Sequence, residues 1–393
     1  MIFLTLNLLA FGAVIFGQAG IDVKKQFGIA QRHYANALRA NRDSSLIPRS
    51  TNKDGSLFAV RCDDWCSGFF AGSLWYLYEF TNDVRWKKAA VRWTGALKGE
   101  RFNTSTHDLG FMLWCSFGNG YRLTGDTGYR SVLLQGAGSL STRFKPSAGV
   151  IRSWDFGPWM CPVIIDNMMN LEFLLGASKL AGEPGFRNIA ISHADHDMRY
   201  HFRSDYSSFH LVDYDTLTGL PRHRQTVQGK SDSSAWARGQ AWGLYGFTTM
   251  YRYTGDEIYL RQAEGIAKFI LTHPNLPQDK VPYWDFDAPG EERDASAAAI
   301  MASALLELST YSKANGEWYR ANAEYMLRSL SSPRYCAKPG TNNNFILMHS
   351  VGAKPPALNF EVDSPLNYAD YYYLEALIRY DRLRKAKSMK AGQ

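Results

Sequence analysis

The sequence predicts an all-α protein, an (α/α)6 barrel of six helical hairpins. Three observations support this fold class. Apolar helical stretches rich in Gly, Ala, Leu and Met alternate with amphipathic stretches that carry charge on one face. A short turn with one composition recurs five times. Strand-like alternating runs are nearly missing from the 393 residues.

The recurring turn joins the two helices of each predicted hairpin. In each copy Gly or Asn supplies the left-handed residue that ends one helix, and an acidic residue lies at or near the start of the next. An aromatic residue follows within a few positions. The five copies lie at 81–83, 124–126, 181–183, 254–256 and 315–317. Such a period indicates repeated αα-hairpins.

The helices can be placed in order along the chain. A first helix is predicted near 22–41 and a last one near 364–384, and pairing these two closes the ring. The five hairpins between them are predicted near 65–97, 107–143, 161–203, 236–272 and 293–331. Leu211–Asp213 and Phe345–Met348 are predicted as short strands in loops. The long connections all lead into the first helices, so one end of the barrel carries the loops on which binding residues concentrate.

The first 19 residues form an apolar, uncharged stretch that ends in Gly17-Gln18-Ala19. This pattern predicts a signal peptide at 1–19, a single catalytic barrel domain at 20–393, and a periplasmic or secreted protein. An uncleaved membrane anchor remains the alternative, although the run is short. After signal cleavage no membrane association is expected.

Composition excludes several classes of protein. The net charge of +7 is spread along the chain without a dense Lys/Arg block, which disfavours nucleic-acid binding. Five cysteines and nine histidines lack the spacings of a zinc site, so no metal is expected. Cys62 and Cys66 could bridge, but buried free thiols are the favoured interpretation.

Two aspartates at the starts of apolar helices are the candidate catalytic residues. Asp108 is followed by Leu-Gly-Phe, and Asp166 follows Cys-Pro-Val-Ile-Ile. Either could be a helix cap, as we expect of Asp294. However, the run before Asp166 is apolar enough to bury its carboxyl, and burial raises a carboxyl pKa.

Further polar and aromatic residues lie at the same predicted end. Arg238, within Trp236-Ala237-Arg238-Gly239-Gln240-Ala241-Trp242, has core neighbours and therefore needs an anion, either a carboxylate or a ligand. Trp65, Trp154 and Trp242 are core residues or platforms for a sugar ring. His210 and Gln228 lie in the long loop before Arg238.

These segments resemble the unsaturated glucuronyl hydrolases of glycoside hydrolase family 88. The matching motifs are Asp64-Trp65-Cys66-Ser67-Gly68-Phe69-Phe70-Ala71-Gly72, His107-Asp108-Leu109-Gly110-Phe111, Asp166-Asn167-Met168-Met169-Asn170, the Trp236–Trp242 segment, and His349-Ser350-Val351-Gly352-Ala353-Lys354-Pro355. The resemblance implies an (α/α)6 barrel without cofactors. It implies removal of a 4,5-unsaturated uronate from the non-reducing end of oligosaccharides made by polysaccharide lyases.

The resemblance also implies roles for residues. Asp166 protonates C4 of the enol ether and then deprotonates the water that adds at C5, and Asp108 is the second essential acid. The expected substrate contacts are Trp65, His107, Trp154, His210, Thr226, Gln228, Arg238, Trp242, Ser350 and Lys354. The last two match a loop that recognises sulfate in some relatives, so sulfated and unsulfated glycosaminoglycan fragments are both candidate substrates.

Two alternatives remain. An unsaturated rhamnogalacturonyl hydrolase would use a similar barrel and acid on pectin fragments, although the Asp64-Trp65 and Trp236–Trp242 motifs favour the glucuronyl group. A periplasmic sugar-binding protein without turnover would not need both aspartates and the arginine.

Overall fold

The computed structural model describes residues 20–354 and 361–391, so the predicted signal peptide lies outside the described residues. The helices follow the predicted order closely. They are α1 (Val23–Ala40), α2 (Ser67–Thr81), α3 (Val84–Ala96), a π-helix (Gly110–Gly118) that continues into α4 (Asn119–Thr124), α5 (Thr127–Ser141), α6 (Asn167–Ala181), α7 (Gly185–Tyr200), α8 (Ala237–Thr254), α9 (Glu257–Thr272), α10 (Ala295–Leu308), α11 (Gly316–Leu330) and α12 (Asn367–Ala391). Short 3-10 helices span Leu97–Phe102 and Asn342–Asn344.

Six inner helices form a closed ring. Helix α2 packs on the π-helix, which packs on α6, and the ring continues through α8, α10 and α12 back to α2. The amphipathic helices pack outside this ring, and α1 packs on both α12 and α2. The expected pairing of the first and last helices is therefore confirmed. Nearly every residue of α10 is buried, because an inner helix has neighbours on all sides.

The hairpin turns close one end of the barrel. Asn82, Gly125, Gly182 and Gly255 adopt the left-handed conformation that ends α2, α4, α6 and α8. The prediction for the fifth turn is wrong, since Gly316 begins α11 instead of ending α10. A Cβ atom on Gly316 would lie 2.5 Å from the carbonyl oxygen of Ser309, so this position is glycine because two backbones meet there.

The long loops at the other end contain short antiparallel strands. These are β1 (Ile47–Thr51), β2 (Leu57–Val60), β3 (Phe144–Lys145), β4 (Val150–Ile151), β5 (Pro162–Ile164), β6 (Leu211–Tyr214) and β7 (Pro221–Gln225). Strand β6 pairs with both β5 and β7. The predicted strand at Leu211–Asp213 is confirmed. The one at Phe345–Met348 is wrong, because only Leu347 forms a bridge there, to Cys336.

Two further sequence-based expectations concern membranes and thiols. Within the described residues no helix is both long and apolar enough to cross a bilayer. Cys62 is half-buried, Cys66 is buried, and both are free thiols.

Candidate active site

The three-stranded sheet places Asp166 next to His210. Strands β5 and β6 pair up to Ile164 and Leu211, and the N–H of Ile165 then donates to the carbonyl of His210 at 3.0 Å. The chain turns into α6 directly afterwards. Asp166 and His210 therefore project from the ends of two paired strands at the loop end of the barrel.

The carboxyl of Asp166 does not cap α6. Its side chain makes no capping hydrogen bond, and Oδ2 is buried without a hydrogen-bond partner among the described residues. Asp294 behaves differently, since Oδ1 accepts from the N–H groups of Ser296 and Ala297 at 3.0 and 3.3 Å. Asp294 is therefore the helix cap that the sequence predicts, whereas the buried carboxyl of Asp166 is left available for chemistry.

Burial raises the pKa of Asp166 to about 7. The negative charge of Asp108 acts in the same direction, while the positive charge of Arg238 opposes it. The indole N–H of Trp242 also favours the ionised form, although it does not meet hydrogen-bond geometry. The expected rise in pKa is confirmed, and the carboxyl can both donate and accept a proton near neutral pH.

His210 is held as a neutral donor. Its Nδ1 accepts the backbone N–H groups of Val227 and Gln228 at 2.8 and 3.2 Å, so the proton of the neutral ring lies on Nε2. Burial, together with the charge of Arg238, lowers the pKa of His210 to about 3. The Nε2 atom lies 3.8 Å from Oδ2 of Asp166.

Asp108 lies just before the π-helix and remains partly exposed. Its Oδ2 accepts from the hydroxyl of Thr106 at 3.0 Å, and its Oδ1 lies 3.3 Å from Nε2 of His107. His107 is buried, and Nδ1 bonds to the side-chain oxygen of Asn167. Asp108 is thus fixed through Oδ2, and its Oδ1 lies beside the imidazole of His107.

A glycine brings the two acids together. A Cβ atom on Gly110 would lie 2.6 Å from Oδ1 and 2.7 Å from Cα of Asn170, on α6. The same Oδ1 accepts the N–H of Phe111 at 3.1 Å. Because the starts of the π-helix and α6 touch at this point, Asp108 lies close enough to Asp166 for its negative charge to raise the pKa of Asp166.

Arg238 is 1% exposed, and both terminal nitrogens of its guanidinium bond to protein groups, whereas Nε has no hydrogen-bond partner among the described residues. Nη1 lies 3.3 Å from Oδ2 of Asp294, and the two terminal nitrogens donate to the carbonyls of Val351 and Gly352. The guanidinium also lies 4.4 Å from the ring centre of Trp236. The sequence left open whether Arg238 pairs with a carboxylate or with a ligand. In the structure it pairs with the carboxylate of Asp294. Contact with a sugar remains a prediction for this residue.

The three candidate tryptophans occupy different places. Trp242 is fully buried and packs on Phe111 with ring centres 5.2 Å apart, so it forms the floor of the site. Trp65 is half-buried and packs edge-on against the same ring at 5.4 Å. Trp154 is partly exposed and stacks on Phe156, which is 69% exposed. Trp154 is thus the tryptophan placed to meet a ligand from solvent.

The loop after β7 supports His210. The hydroxyl of Thr226 accepts the N–H of Gly229 at 2.7 Å, and the N–H of Thr226 donates to Asp232 at 2.8 Å. These bonds shape the turn whose next residues hold His210. Thr226 therefore acts on the loop in this structure, and Gln228 lies directly beside the imidazole. Their expected sugar contacts stay predictions.

The candidate sulfate-binding residues are placed differently from the sequence-based expectation. Ser350 is fully buried, and its hydroxyl faces no solvent. The ammonium of Lys354 bonds to the carboxylates of Glu291 and Glu292. Partial burial acts against its charge, but these bonds raise the pKa of Lys354. Lys354 is therefore paired within the protein, and its expected contact with sulfate stays a prediction.

Two residues that the sequence analysis did not single out hold the site in place. Asn167 donates from Nδ2 to the carbonyl of Ile151 at 2.9 Å and to the hydroxyl of Ser153 at 3.2 Å. The Ser153 hydroxyl also accepts the N–H of Ile164 at 3.0 Å. The sequence could have pointed to Asn167, because it lies in the Asp166–Asn170 motif and a buried side-chain amide needs hydrogen-bond partners.

A separate cavity of about 430 Å³ lies between the inner helices at the tight-turn end. Arg252 and Arg379 line it and pair with Glu307, and Glu375 accepts from the hydroxyl of Tyr245. Neither Asp108 nor Asp166 borders this cavity. These two arginines are paired within the protein and the cavity lies away from both aspartates, so we assign the chemistry to the loop end.

Among residues 20–354 and 361–391 there is no group of three or more His, Cys, Asp or Glu side chains that could hold a metal ion.

The chain is similar to known proteins over most of its length. The sequence model of Glycosyl Hydrolase Family 88 matches residues 44–275. An unsaturated glucuronyl hydrolase of Formosa agariphila is 46% identical over 92% of this chain and 91% of its own length. A solved structure of an unsaturated glucuronyl hydrolase specific for heparin is 50% identical, with a TM-score of 0.90, covering 92% of this chain and 98% of that one.

A second solved structure is the unsaturated glucuronyl hydrolase of Bacillus sp. GL1, described as responsible for the degradation of glycosaminoglycan. It is 31% identical, with a TM-score of 0.85, and covers 92% of this chain and 97% of that one. The expectations of an (α/α)6 barrel and of a hydrolase of the unsaturated glucuronyl type are confirmed. The chain belongs to glycosyl hydrolase family 88.

Proposed function

We propose that this chain removes the 4,5-unsaturated uronate from the non-reducing end of lyase-generated glycosaminoglycan oligosaccharides. The observation that carries the proposal is the carboxyl of Asp166. It is buried, its Oδ2 has no hydrogen-bond partner among the described residues, and its pKa is raised to about 7. A vinyl ether needs an acid of this kind, because protonation of its carbon is the difficult step.

The proposed reaction begins with proton transfer from Asp166 to C4 of the unsaturated ring. Positive charge then develops at C5 and on the ring oxygen. The resulting carboxylate accepts a proton from water as the water oxygen bonds to C5, so Asp166 ends the cycle protonated. The hemiketal opens and releases the partner sugar and a keto-uronate, with one water consumed.

Neighbouring groups would support these steps. Asp108 retains an exposed edge that can accept hydrogen bonds from hydroxyl groups of the ring, and its ionised form raises the pKa of Asp166. His210, neutral with its proton on Nε2, can donate to the substrate beside Asp166. Trp154 and Phe156 offer an aromatic surface at the mouth.

Arg238 would act on the substrate through its charge, since its terminal nitrogens already have acceptors. The positive charge beside Asp166 favours binding of an anionic uronate. Trp65, Trp242, Gln228 and Thr226 would complete the walls.

We further propose that heparin-derived fragments are among the substrates. Support comes from the solved relative that is specific for heparin and is 50% identical to this chain. Because Lys354 is paired with two glutamates, recognition of sulfate would not depend on that ammonium. The sulfated partner sugar would lie beyond the unsaturated ring, towards the loop at 144–160 and the described part of the loop at 332–354.

The experiment is a panel of unsaturated disaccharides made with chondroitin, hyaluronan, heparin and pectin lyases. Turnover is followed as the loss of ultraviolet absorbance of the unsaturated uronate. Highest kcat/KM on a glycosaminoglycan product supports the proposal. Preference for the pectin product would favour a rhamnogalacturonyl hydrolase, and binding without turnover would indicate a sugar-binding protein.

We also propose that the mature protein is periplasmic or secreted, because residues 1–19 have the composition of a signal peptide. Mass spectrometry of the protein purified from its own cells should give a chain that begins at Gly20. A full-length mass would contradict this.

A further inference from the structure

His107 lies between two groups whose hydrogen-bonding character can be assigned. On one side is the side-chain amide of Asn167. Its Nδ2 donates to the carbonyl of Ile151, which can only accept. The amide is therefore fixed, and the atom that faces Nδ1 of His107 is the oxygen, which also can only accept. Nδ1 of His107 must then carry a hydrogen.

On the other side is the carboxyl of Asp108. Its Oδ2 accepts the hydrogen of the Thr106 hydroxyl, because that hydroxyl oxygen itself accepts the N–H of Asp108 at 3.1 Å. The remaining oxygen, Oδ1, lies 3.3 Å from Nε2 of His107. Both nitrogens of the imidazole thus face oxygen atoms of side chains.

A neutral imidazole beside an ionised Asp108 cannot satisfy both contacts. With its hydrogen on Nδ1, the bare Nε2 would face a carboxylate oxygen. With its hydrogen on Nε2, the bare Nδ1 would face the amide oxygen of Asn167. One additional proton, bonded to either Nε2 or Oδ1, satisfies both contacts.

We propose that His107 and Asp108 share one proton between Nε2 and Oδ1 in the working enzyme, and that Asn167 is the positioning residue that enforces this arrangement. The inference rests on the proposed function for its catalytic meaning, but the proton can be observed without turnover. It makes the pair neutral overall, so that Asp166 faces a neutral pair as long as the proton is held.

Charged and titratable groups surround His107. Besides Asp108, the groups facing His107 are Arg143 and His193, and both act against an added positive charge. Burial has the same effect and is the largest cause of the lowered pKa of His107.

The shared proton affects catalysis because it changes the charge beside Asp166. Asp166 faces Arg238 and Asp108, with the neutral His210 beside it. Loss of the shared proton would place a full negative charge near Asp166, and a like charge raises a carboxyl pKa. The pair would thus keep the general acid protonated as the pH rises.

Nitrogen-15 NMR of the imidazoles tests the proposal directly. In the free wild-type protein we expect Nδ1 of His107 to stay protonated from pH 5 to 9, while Nε2 shows one titration step. The His107→Gln variant assigns these signals. His210 is an internal control, because two backbone N–H groups bond to its Nδ1 and the opposite tautomer is expected. A bare Nδ1 on His107, or an Nε2 signal that does not titrate, would overturn the proposal.

A second variant makes the test sharper. In Asp108→Asn the amide can present a permanent N–H to Nε2, so the titration step of Nε2 should disappear while Nδ1 keeps its hydrogen. A step that persists unchanged would show that Asp108 does not share the proton, and would overturn the proposal. This readout does not require activity.

The pH profile supplies a kinetic test. His107→Gln places a permanent N–H towards Asp108, so no proton is shared between them and Asp108 is a carboxylate over the alkaline limb. The alkaline limb of kcat/KM should move upwards by about one pH unit, as expected when a neighbouring charge appears. A limb at the wild-type position would contradict the shared proton. If wild type turns over no unsaturated disaccharide, the proposed function fails, and the NMR titration still decides this inference.

Discussion

Nε2 of His210 lies 3.8 Å from Oδ2 of Asp166, and the strands that carry these residues fix this relationship. The backbone bond from Ile165 to His210 continues the ladder of β5 and β6 to the edge of the site. Because Nδ1 of His210 is occupied by backbone donors, the imidazole cannot compete with substrate for the proton of Asp166. The acid therefore lies beside a donor that keeps its own proton.

Asp108→Asn should lower kcat/KM by roughly 10²–10⁴-fold, the range typical of groups that act in proton transfer. The change removes the negative charge that helps to raise the pKa of Asp166 and weakens contacts with sugar hydroxyls. The alkaline limb of the pH profile should move down together with the rate. A variant with the wild-type rate and limb would remove Asp108 from the site.

The protonation of Asp166 links stability to pH. Its pKa in the folded protein lies above the ordinary value of 3.8, so its contribution to stability is complete at low pH and is lost as the pH rises through about 7. At pH 8 the buried carboxylate destabilises the fold by up to about 4 kcal/mol, since one pKa unit corresponds to 1.36 kcal/mol. The Tm of Asp166→Asn minus the Tm of wild type should therefore increase from pH 5 to pH 8. A Tm difference that is independent of pH would argue against the raised pKa.

Gly110→Ala should damage both stability and turnover. The added methyl group would meet Asn170 at 2.6 to 2.7 Å, and overpacking of this kind costs about 1–3 kcal/mol. It should also separate Asp108 from Asp166. Gly138→Ala in α5 is the matched control, because nothing lies within 4 Å of its added Cβ. Thermal unfolding and turnover of both variants test this, and equal Tm values would contradict it.

Lys354→Ala should change KM for sulfated and unsulfated disaccharides by the same factor. The ammonium is engaged by Glu291 and Glu292, and these bonds hold the pKa of Glu291 at about 2. A lysine so engaged contributes little to binding of an external anion. Parallel titrations with both substrates give the answer. A KM increase confined to the sulfated disaccharide would restore the role that the sequence suggested.

Most of the fold could be predicted because its determinants are local. Helical periodicity and the recurring Gly-acid turns lie within a few residues of one another, and the loop end followed from connection lengths. The fifth turn was misjudged because Gly316 is needed for contact with Ser309 rather than for a left-handed conformation. Sequence alone does not distinguish these two uses of glycine.

The site was predicted less completely because its contacts are distant in sequence. Burial of Asp166 could be inferred from the apolar run before it. In contrast, the partners of Lys354 lie 62 and 63 residues away, and Arg238 meets Gly352 across 114 residues. The state of His107 depends on an amide 60 residues further along the chain. Such pairings appear only when the helices are assembled.

In the proposed reaction the carboxyl of Asp166 is the proton donor. The direct measurement is turnover of an unsaturated glycosaminoglycan disaccharide by Asp166→Asn, with binding measured calorimetrically. Asp370→Asn is the matched control, because burial also raises the pKa of Asp370 to about 7 but both of its oxygens accept backbone N–H groups. We predict that Asp166→Asn binds the disaccharide with its rate reduced by at least about 10²-fold, and that folded Asp370→Asn retains turnover. An Asp166→Asn variant with more than about a tenth of the wild-type rate would contradict the account.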